Sequence, residues 1–301
     1  MKILLIGKDG QIGKSLFNAL KGSHETFPLG RKECDLQNKN EIISVFNNTK
    51  VDIVINAAAY TDVDKAESDP KKVFLINSDA IETISLLTKN NGIPLIHYST
   101  DYVFDGKKNK KYLEDDEENP INIYGESKLF GEKYTKFNDK HIIIRTSRVF
   151  SASGNNFISK IINLAETKDK LDIVSDQIAT PTSSEFISKI TSNLISYMGE
   201  HPNINIFGTY HLVADGSCSW YDYAKVIVEE ALKLDYPLKV DVDSIYAVLS
   251  NDFKSNAKRP KNSVLCTSKI KSLLSFEMPW WEDDVRRATR DIIKNKIKQI
   301  S

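Results

Sequence analysis

The sequence predicts a doubly wound α/β fold: a parallel sheet with helices on both faces, followed by a smaller substrate-binding region toward the C-terminus. Three observations carry this. An apolar strand starting at Ile3 runs directly into Gly7-Lys8-Asp9-Gly10-Gln11-Ile12-Gly13 and a helical pattern. Apolar runs then alternate with helix-period segments as far as residue 147. Finally, the runs are nearly continuous Val, Ile and Leu, as expected of parallel strands buried on both faces.

Ile3 to Ile6 forms the first strand, and the glycine string opens a helix through about residue 21. Its glycines turn the chain, let a pyrophosphate approach the backbone and bring the helix close to the sheet, with phosphate at the helix N-terminus. Gly7, Gly10, Gln11, Ile12 and Gly13 are therefore candidate cofactor contacts. A second strand over residues 25–29 ends in Gly30-Arg31. NAD-preferring sites place a carboxylate there for the ribose hydroxyls. Arg31 offers a cation for a 2′-phosphate instead, so NADPH is the expected cofactor, with NADH as the alternative.

A helix over residues 39–47 leads to a buried strand over residues 51–60, whose small residues Ala57, Ala58 and Ala59, followed by Tyr60, let a ligand pass close to the backbone. After Pro70 a helix is expected over residues 71–90, then a strand over 93–101 ending in Ser99-Thr100-Asp101. Residues 107–119 read as a solvated acidic loop, 124–137 as a helix and 141–147 as a further strand. Beyond Ser151 the alternation loosens. Residues 155–166 are amphipathic, residues 181–185 cap a helix to about 197, residues 210–214 form a strand, and helices start near 219 and 281. This divides the chain into a nucleotide-binding region over 1–150, with returning segments near 181–215, and a mainly substrate-binding region over 151–301.

The 41 basic and 41 acidic residues cancel, so no nucleic-acid or membrane surface is expected. No apolar run approaches the length of a spanning helix, and the first apolar run is too short for a signal peptide. Cys34, Cys218 and Cys266 are widely spaced, and the five histidines form no ligand pattern, so no metal is expected and each histidine reads as structural. The expected location is the cytoplasm.

Tyr124-Gly125-Glu126-Ser127-Lys128 carries the chemistry. One helical turn puts the phenol and the ammonium on one face. A free phenol titrates near ~10, so a working acid must be lowered by roughly 3 units, or about 4 kcal/mol, and a nearby cation does this. The strand end at Thr100 lies where α/β sites form.

The glycine-rich start, Thr100 and Tyr124-x-x-x-Lys128 together resemble the extended short-chain dehydrogenase/reductase family, with its Rossmann-like fold. Gly10-Gln11-Ile12-Gly13, residues 56–67, 99–104 and 124–128, Pro181-Thr182, residues 210–214 and residues 259–265 resemble its dTDP-4-dehydrorhamnose reductase branch. The resemblance implies NADPH-dependent reduction of the C4 ketone of dTDP-4-dehydro-L-rhamnose. Tyr124 would protonate the oxygen, Thr100 would hydrogen-bond it, and Lys128 would bind the nicotinamide ribose and bias Tyr124 toward ionisation. Asp35 and Leu36 would lie near the adenine, and Asn77 would support the active-site backbone. Asp101 and Tyr102 would reach the sugar, and Arg259 the diphosphate. A homodimer is compatible with the resemblance.

Two positions depart from the branch. Arg148 stands where a Trp lines the sugar pocket; facing the pocket it would need a partner, the candidates being a ligand phosphate, Asp101 or Asp105. Ser15 stands where some members carry an acid of a magnesium site at the dimer interface. Two rival readings are a reductase of another 4-keto-6-deoxy nucleotide sugar, and a non-catalytic subunit similar to the regulatory subunit of methionine adenosyltransferase.

Overall fold

Six parallel strands form the central sheet in a computed structural model that describes residues 1–300. Ser301, the last residue of the expected second region, lies outside the described residues. The first five strands are β1 (Lys2–Ile6), β2 (Glu25–Leu29), β3 (Ile53–Asn56), β4 (Leu95–Thr100) and β5 (His141–Thr146). The order is β2-β1-β3-β4-β5, with Gly208–His211 beyond β5. The direction of winding reverses between β1 and β3, which opens a crevice at the carboxyl ends of the strands.

Alternation along each strand sends side chains to two cores. Ile3, Leu5, Ile53, Ile55, Ile96 and Ile144 pack with α1 (Gln11–Leu20) and the helix Ser184–Glu200. Leu4, Ile6, Val54 and Leu95 pack with α2 (Lys39–Asn48) and the helix Ala80–Asn90 on the other face. A separate core gathers the helices Phe157–Thr167, Trp220–Leu232 and Trp281–Ile300 around Tyr223 and Trp281. The parallel strand pair Leu171–Val174 and Ile245–Val248 accompanies it, too short to have been read from the sequence.

Two predicted elements differ in ways that shape the crevice. The strand over 51–60 stops at Asn56, because the Asn56 side chain accepts from Ala58 N (3.2 Å) and so turns the chain out of the ladder. The helix over 71–90 is interrupted by a π-helical turn, Leu75–Asp79. That turn aims Asn77 at the backbone N–H (2.8 Å) and C=O (3.0 Å) of Tyr60 and at Ser127 Oγ (3.0 Å). Such local widening is common at functional sites.

Candidate active site

A cleft of about 1010 Å³ lies over the carboxyl ends of the strands. At one end the glycine string closes tightly: a Cβ on Gly7 (φ +95°) would lie 2.5 Å from Ala58 N, and one on Gly13 2.0 Å from Gly7 O. A Cβ on Gly10 would meet only Gly7 O at 3.5 Å, and no side chain caps α1 there, so its first N–H groups face the cleft unclaimed. Gln11 ties this loop to the segment that follows β5, donating to Val149 O (3.3 Å) and accepting from Ser151 Oγ (3.1 Å) and Asn156 Nδ2 (3.2 Å). Ile12, Ala57, Ala58 and Ala59 line the wall; Gly13 and Tyr60 stand back from it.

The end of β2 needs a correction. Exposed Arg31 lines the cleft, but the strand end is not free of carboxylates. Glu33 Oε2 accepts from Gly30 N (2.8 Å) while its other oxygen pairs with Lys8 (2.7 Å), and Asp9 Oδ2 sits only 2.0 Å from where a Gly30 Cβ would be. These acids come from residues three positions on and from the glycine string, so inspection of residue 31 alone misses them. Asp35 accepts from Gln37 N (3.0 Å), and Leu36 is buried against α2 with its edge on the cleft.

At the other end the helix Ile123–Thr135 carries Tyr124 and Lys128. Asn122 caps it through Gly125 N (2.7 Å), and Glu67 Oε1 accepts from Ile123 N (2.9 Å). Gly125 and Gly131 allow its close approach, since a Cβ would lie 2.2 Å from Tyr102 O or 2.3 Å from Asn77 O. Thr100 meets the Tyr124 hydroxyl, while its own Oγ1 accepts from Tyr102 N (3.1 Å) and donates to Asp101 Oδ1 (3.1 Å). Lys128, 2 % exposed, donates to Tyr98 O (2.6 Å) and touches His97 Nε2 (3.2 Å).

This arrangement runs against the expected bias toward ionisation. Burial pushes the Tyr124 phenol well above its ordinary value; the Thr100 hydrogen bond opposes this, and Asp101 and Tyr102 add to it. Burial lowers Lys128 to about 8, with Glu132 opposing. Desolvation outweighs the helical adjacency, and Tyr124 is a neutral O–H donor.

The expected sugar contacts are placed differently from one another. Asp101 is buried, accepting from Thr100, Ser147 Oγ (2.7 Å) and Ser263 Oγ (2.5 Å), so its carboxylate braces the strand end instead of offering free oxygens to a sugar. Tyr102 lies edge-on to Tyr124, centroids 6.0 Å apart, and its hydroxyl bonds Arg259. Arg259 lines the cleft paired to Asp64. Arg148, at φ +43°, also reaches the cleft, but neither Asp101 nor Asp105 hydrogen-bonds it. It donates to Cys218 O (2.8 Å) and Gln177 O (2.7 Å) and lies over the Trp220 ring at 4.0 Å. Backbone carbonyls and an aromatic face satisfy the charge, in place of the two carboxylates among the three expected partners. Ser15 contacts Ser184 Oγ at 2.8 Å.

Sequence reasoning missed Trp220, Phe157 and Lys160 on the cleft wall, since they come from the helices Phe157–Thr167 and Trp220–Leu232, far along the chain. It also missed Ser99 and Thr146, whose buried hydroxyls have no partner although both line the cleft. Bare helix N–H groups in one part of the cleft and orphan hydroxyls on β4 and β5 near Thr100 in another fit a dinucleotide whose diphosphate meets the helix N-terminus.

A switch-point cleft with a glycine-rich phosphate loop and a Thr–Tyr–Lys set defines an extended short-chain dehydrogenase/reductase. Residues 1–293 match the family described as RmlD substrate binding domain, and the chain belongs to that family. It is 38 % identical over 297 residues to the dTDP-4-dehydrorhamnose reductase of Escherichia coli K12, covering 97 % of this chain and 98 % of that one. It is 36 % identical over 288 residues to that of Sinorhizobium fredii, covering 95 % and 96 %. The crystal structure of the Bacillus anthracis enzyme in complex with NADP superposes with a TM-score of 0.87 at 32 % identity, covering 96 % of this chain and 99 % of that one.

Proposed function

We propose that this chain is an NADPH-dependent oxidoreductase that reduces the C4 ketone of dTDP-4-dehydro-L-rhamnose to give dTDP-L-rhamnose. The observation that carries the reading is the Tyr124 hydroxyl held beside Thr100 at the end of the cleft away from the glycine string, in a chain whose full-length relatives are named for this reaction. Bound NADPH supplies the hydride.

The chain's own residues supply the rest. Tyr124 gives its phenolic proton to the oxygen that becomes a hydroxyl, and Thr100 donates a hydrogen bond to that oxygen in place of Asp101. Lys128 offers an N–H toward the nicotinamide ribose. The bare N-terminus of α1, with Gly10 and Gln11, takes the cofactor diphosphate, and Arg31 takes the 2′-phosphate. Tyr102, Arg148 and Trp220 wall the sugar, and Arg259 is placed to meet the diphosphate of the sugar nucleotide. In this reading residues 1–150, with segments near 181–215, hold the cofactor, and residues 151–301 mainly hold the substrate. Work in the cytoplasm suits a soluble sugar nucleotide, and no helix among the described residues is long and apolar enough to cross a membrane. A homodimer belongs to the proposal on resemblance alone.

The test is NADPH oxidation with dTDP-4-dehydro-L-rhamnose generated in situ, followed by identification of the product sugar. Turnover yielding dTDP-L-rhamnose is expected. Turnover only with another 4-keto-6-deoxy nucleotide sugar would replace the substrate, and NADPH binding without turnover of any would favour a non-catalytic role.

A further inference from the structure

We propose that Thr146, at the end of β5, is a further cofactor-binding residue: its Oγ1 hydrogen-bonds the nicotinamide carboxamide and so fixes the rotation of the ring about its bond to the ribose, which decides the ring face that meets the substrate ketone. The proposal rests on the reading above that NADPH binds in the cleft with its nicotinamide beside Tyr124.

The strand pattern places this hydroxyl. Ile142 and Ile144 point into the core shared with α1 and the helix Ser184–Glu200, so Thr146, two residues on, projects from the same face of β5. It is 5 % exposed, it lines the cleft, and its hydroxyl meets no donor or acceptor in the chain. Ile12, Ala57 and Val149 pack on that same core and also line the cleft; they offer aliphatic surface and no side-chain polar atom.

The polar side chains at the neighbouring strand end are already committed. Thr100, the register partner of Thr146 on β4, accepts from Tyr102 N (3.1 Å) and donates to Asp101 (3.1 Å). Ser147 Oγ donates to Asp101 (2.7 Å), and the Tyr98 hydroxyl pairs with Thr191 Oγ1 (2.6 Å). Ser99, the other orphan hydroxyl on the cleft, follows Tyr98 and so projects from the opposite face of β4. A buried hydroxyl is costly to leave unpaired, so the partner of Thr146 is a group that enters the cleft.

The strand order says which group. Diphosphate meets the N-terminus of α1 at the end of β1, and Arg31, Asp35 and Leu36 mark the adenosine side at β2. The other half of a dinucleotide therefore crosses the ends of β3 and β4 toward β5, and Thr146 stands one strand spacing, about 4.8 Å, beyond Thr100. A flat ring with one polar substituent matches aliphatic surface beside one unpaired hydroxyl. The carboxamide carries an acceptor oxygen and an N–H donor, and a hydroxyl answers either.

Calorimetric titration with NADPH, and with 2′-phospho-ADP-ribose, which keeps the adenosine and the diphosphate but lacks nicotinamide, tests the assignment without sugar nucleotide or turnover. Thr146→Val keeps the shape and removes the hydroxyl; it is expected to weaken NADPH by about fivefold or more and to leave 2′-phospho-ADP-ribose within about twofold. Thr146→Ser keeps the hydroxyl and should bind both molecules as wild type does. Ser188→Ala removes another buried unpaired hydroxyl, on the helix Ser184–Glu200 and not on the cleft, and should change neither affinity. Should Thr146→Val not fold, Thr146→Ala takes its place with the same expectation. Unchanged NADPH affinity in the variant, or equal loss for both molecules, overturns the proposal and leaves the functional reading standing. A wild-type chain that does not bind NADPH overturns both.

Discussion

Arg259 grips Asp64 across 195 residues of chain, Nη2 to Oδ2 at 2.6 Å and Nη1 to Oδ1 at 3.3 Å. The same guanidinium bonds Ser255 and the Tyr102 hydroxyl, so one side chain ties the loop after β3, the end of β4 and the C-terminal segment together. Burial raises the Asp64 carboxyl, but hydrogen bonds from Arg259, Ser255 and Ala257 more than reverse this and hold it below its ordinary range. The pair therefore contributes in full above the unfolded carboxylate range and fades as acid protonates Asp64.

Arg259→Ala is expected to raise KM for the sugar nucleotide by about tenfold or more, the worth of a charged hydrogen bond of about 1.5–3 kcal/mol, with NADPH affinity unchanged. Steady-state kinetics beside NADPH titration checks it; equal weakening of both ligands would place Arg259 in the scaffold alone.

Tyr124→Phe should remove nearly all turnover and leave NADPH affinity within a few fold, since only the proton donor is lost. Substantial turnover in the variant would end its assignment as the acid.

Lys128 sets a pH dependence of stability. Its folded pKa of about 8 lies below its ordinary 10.5, so the unfolded chain binds more protons between those values and stability rises with pH across that window. Compared with Lys128→Met, wild type should gain up to about 3 kcal/mol between pH 8 and 10.5. Urea unfolding across this range measures the difference, and parallel curves would mean that Lys128 titrates normally.

Arg31→Ala should lower the preference for NADPH over NADH by removing a charged contact worth about 1.5–3 kcal/mol. Glu33 and Asp9 would then dominate the strand end. An unchanged ratio of kcat/KM values would point to dual cofactor use independent of Arg31.

Arg148→Ala leaves Cys218 O and Gln177 O without their donor and uncovers Trp220, and should cost about 2–3 kcal/mol in urea unfolding. Arg148→Trp tests the sugar wall separately: kcat/KM for dTDP-4-dehydro-L-rhamnose rises if the arginine marks drift toward another sugar and falls if it contacts this one. A ratio near unity would remove Arg148 from substrate recognition.

The strand-glycine-helix opening, the alternation through β5 and the Tyr124-x-x-x-Lys128 turn were legible because each is written in neighbouring residues: apolar period, glycine spacing, one turn of helix. By itself the sequence determined the doubly wound sheet, the cleft at its carboxyl ends and the presence of Thr100, Tyr124 and Lys128 there. Only the tertiary structure decided how those groups are charged and what they touch. Lys128 meets His97 and, through it, Asn56 because β3, β4 and the helix Ile123–Thr135 pack together, and Arg148 finds Trp220 and two carbonyls from two distant segments, around Gln177 and over Cys218 to Trp220. Desolvation depends on every atom that covers a group, and those atoms come from positions no local pattern names; the phenol that helical adjacency would ionise is instead kept neutral by burial.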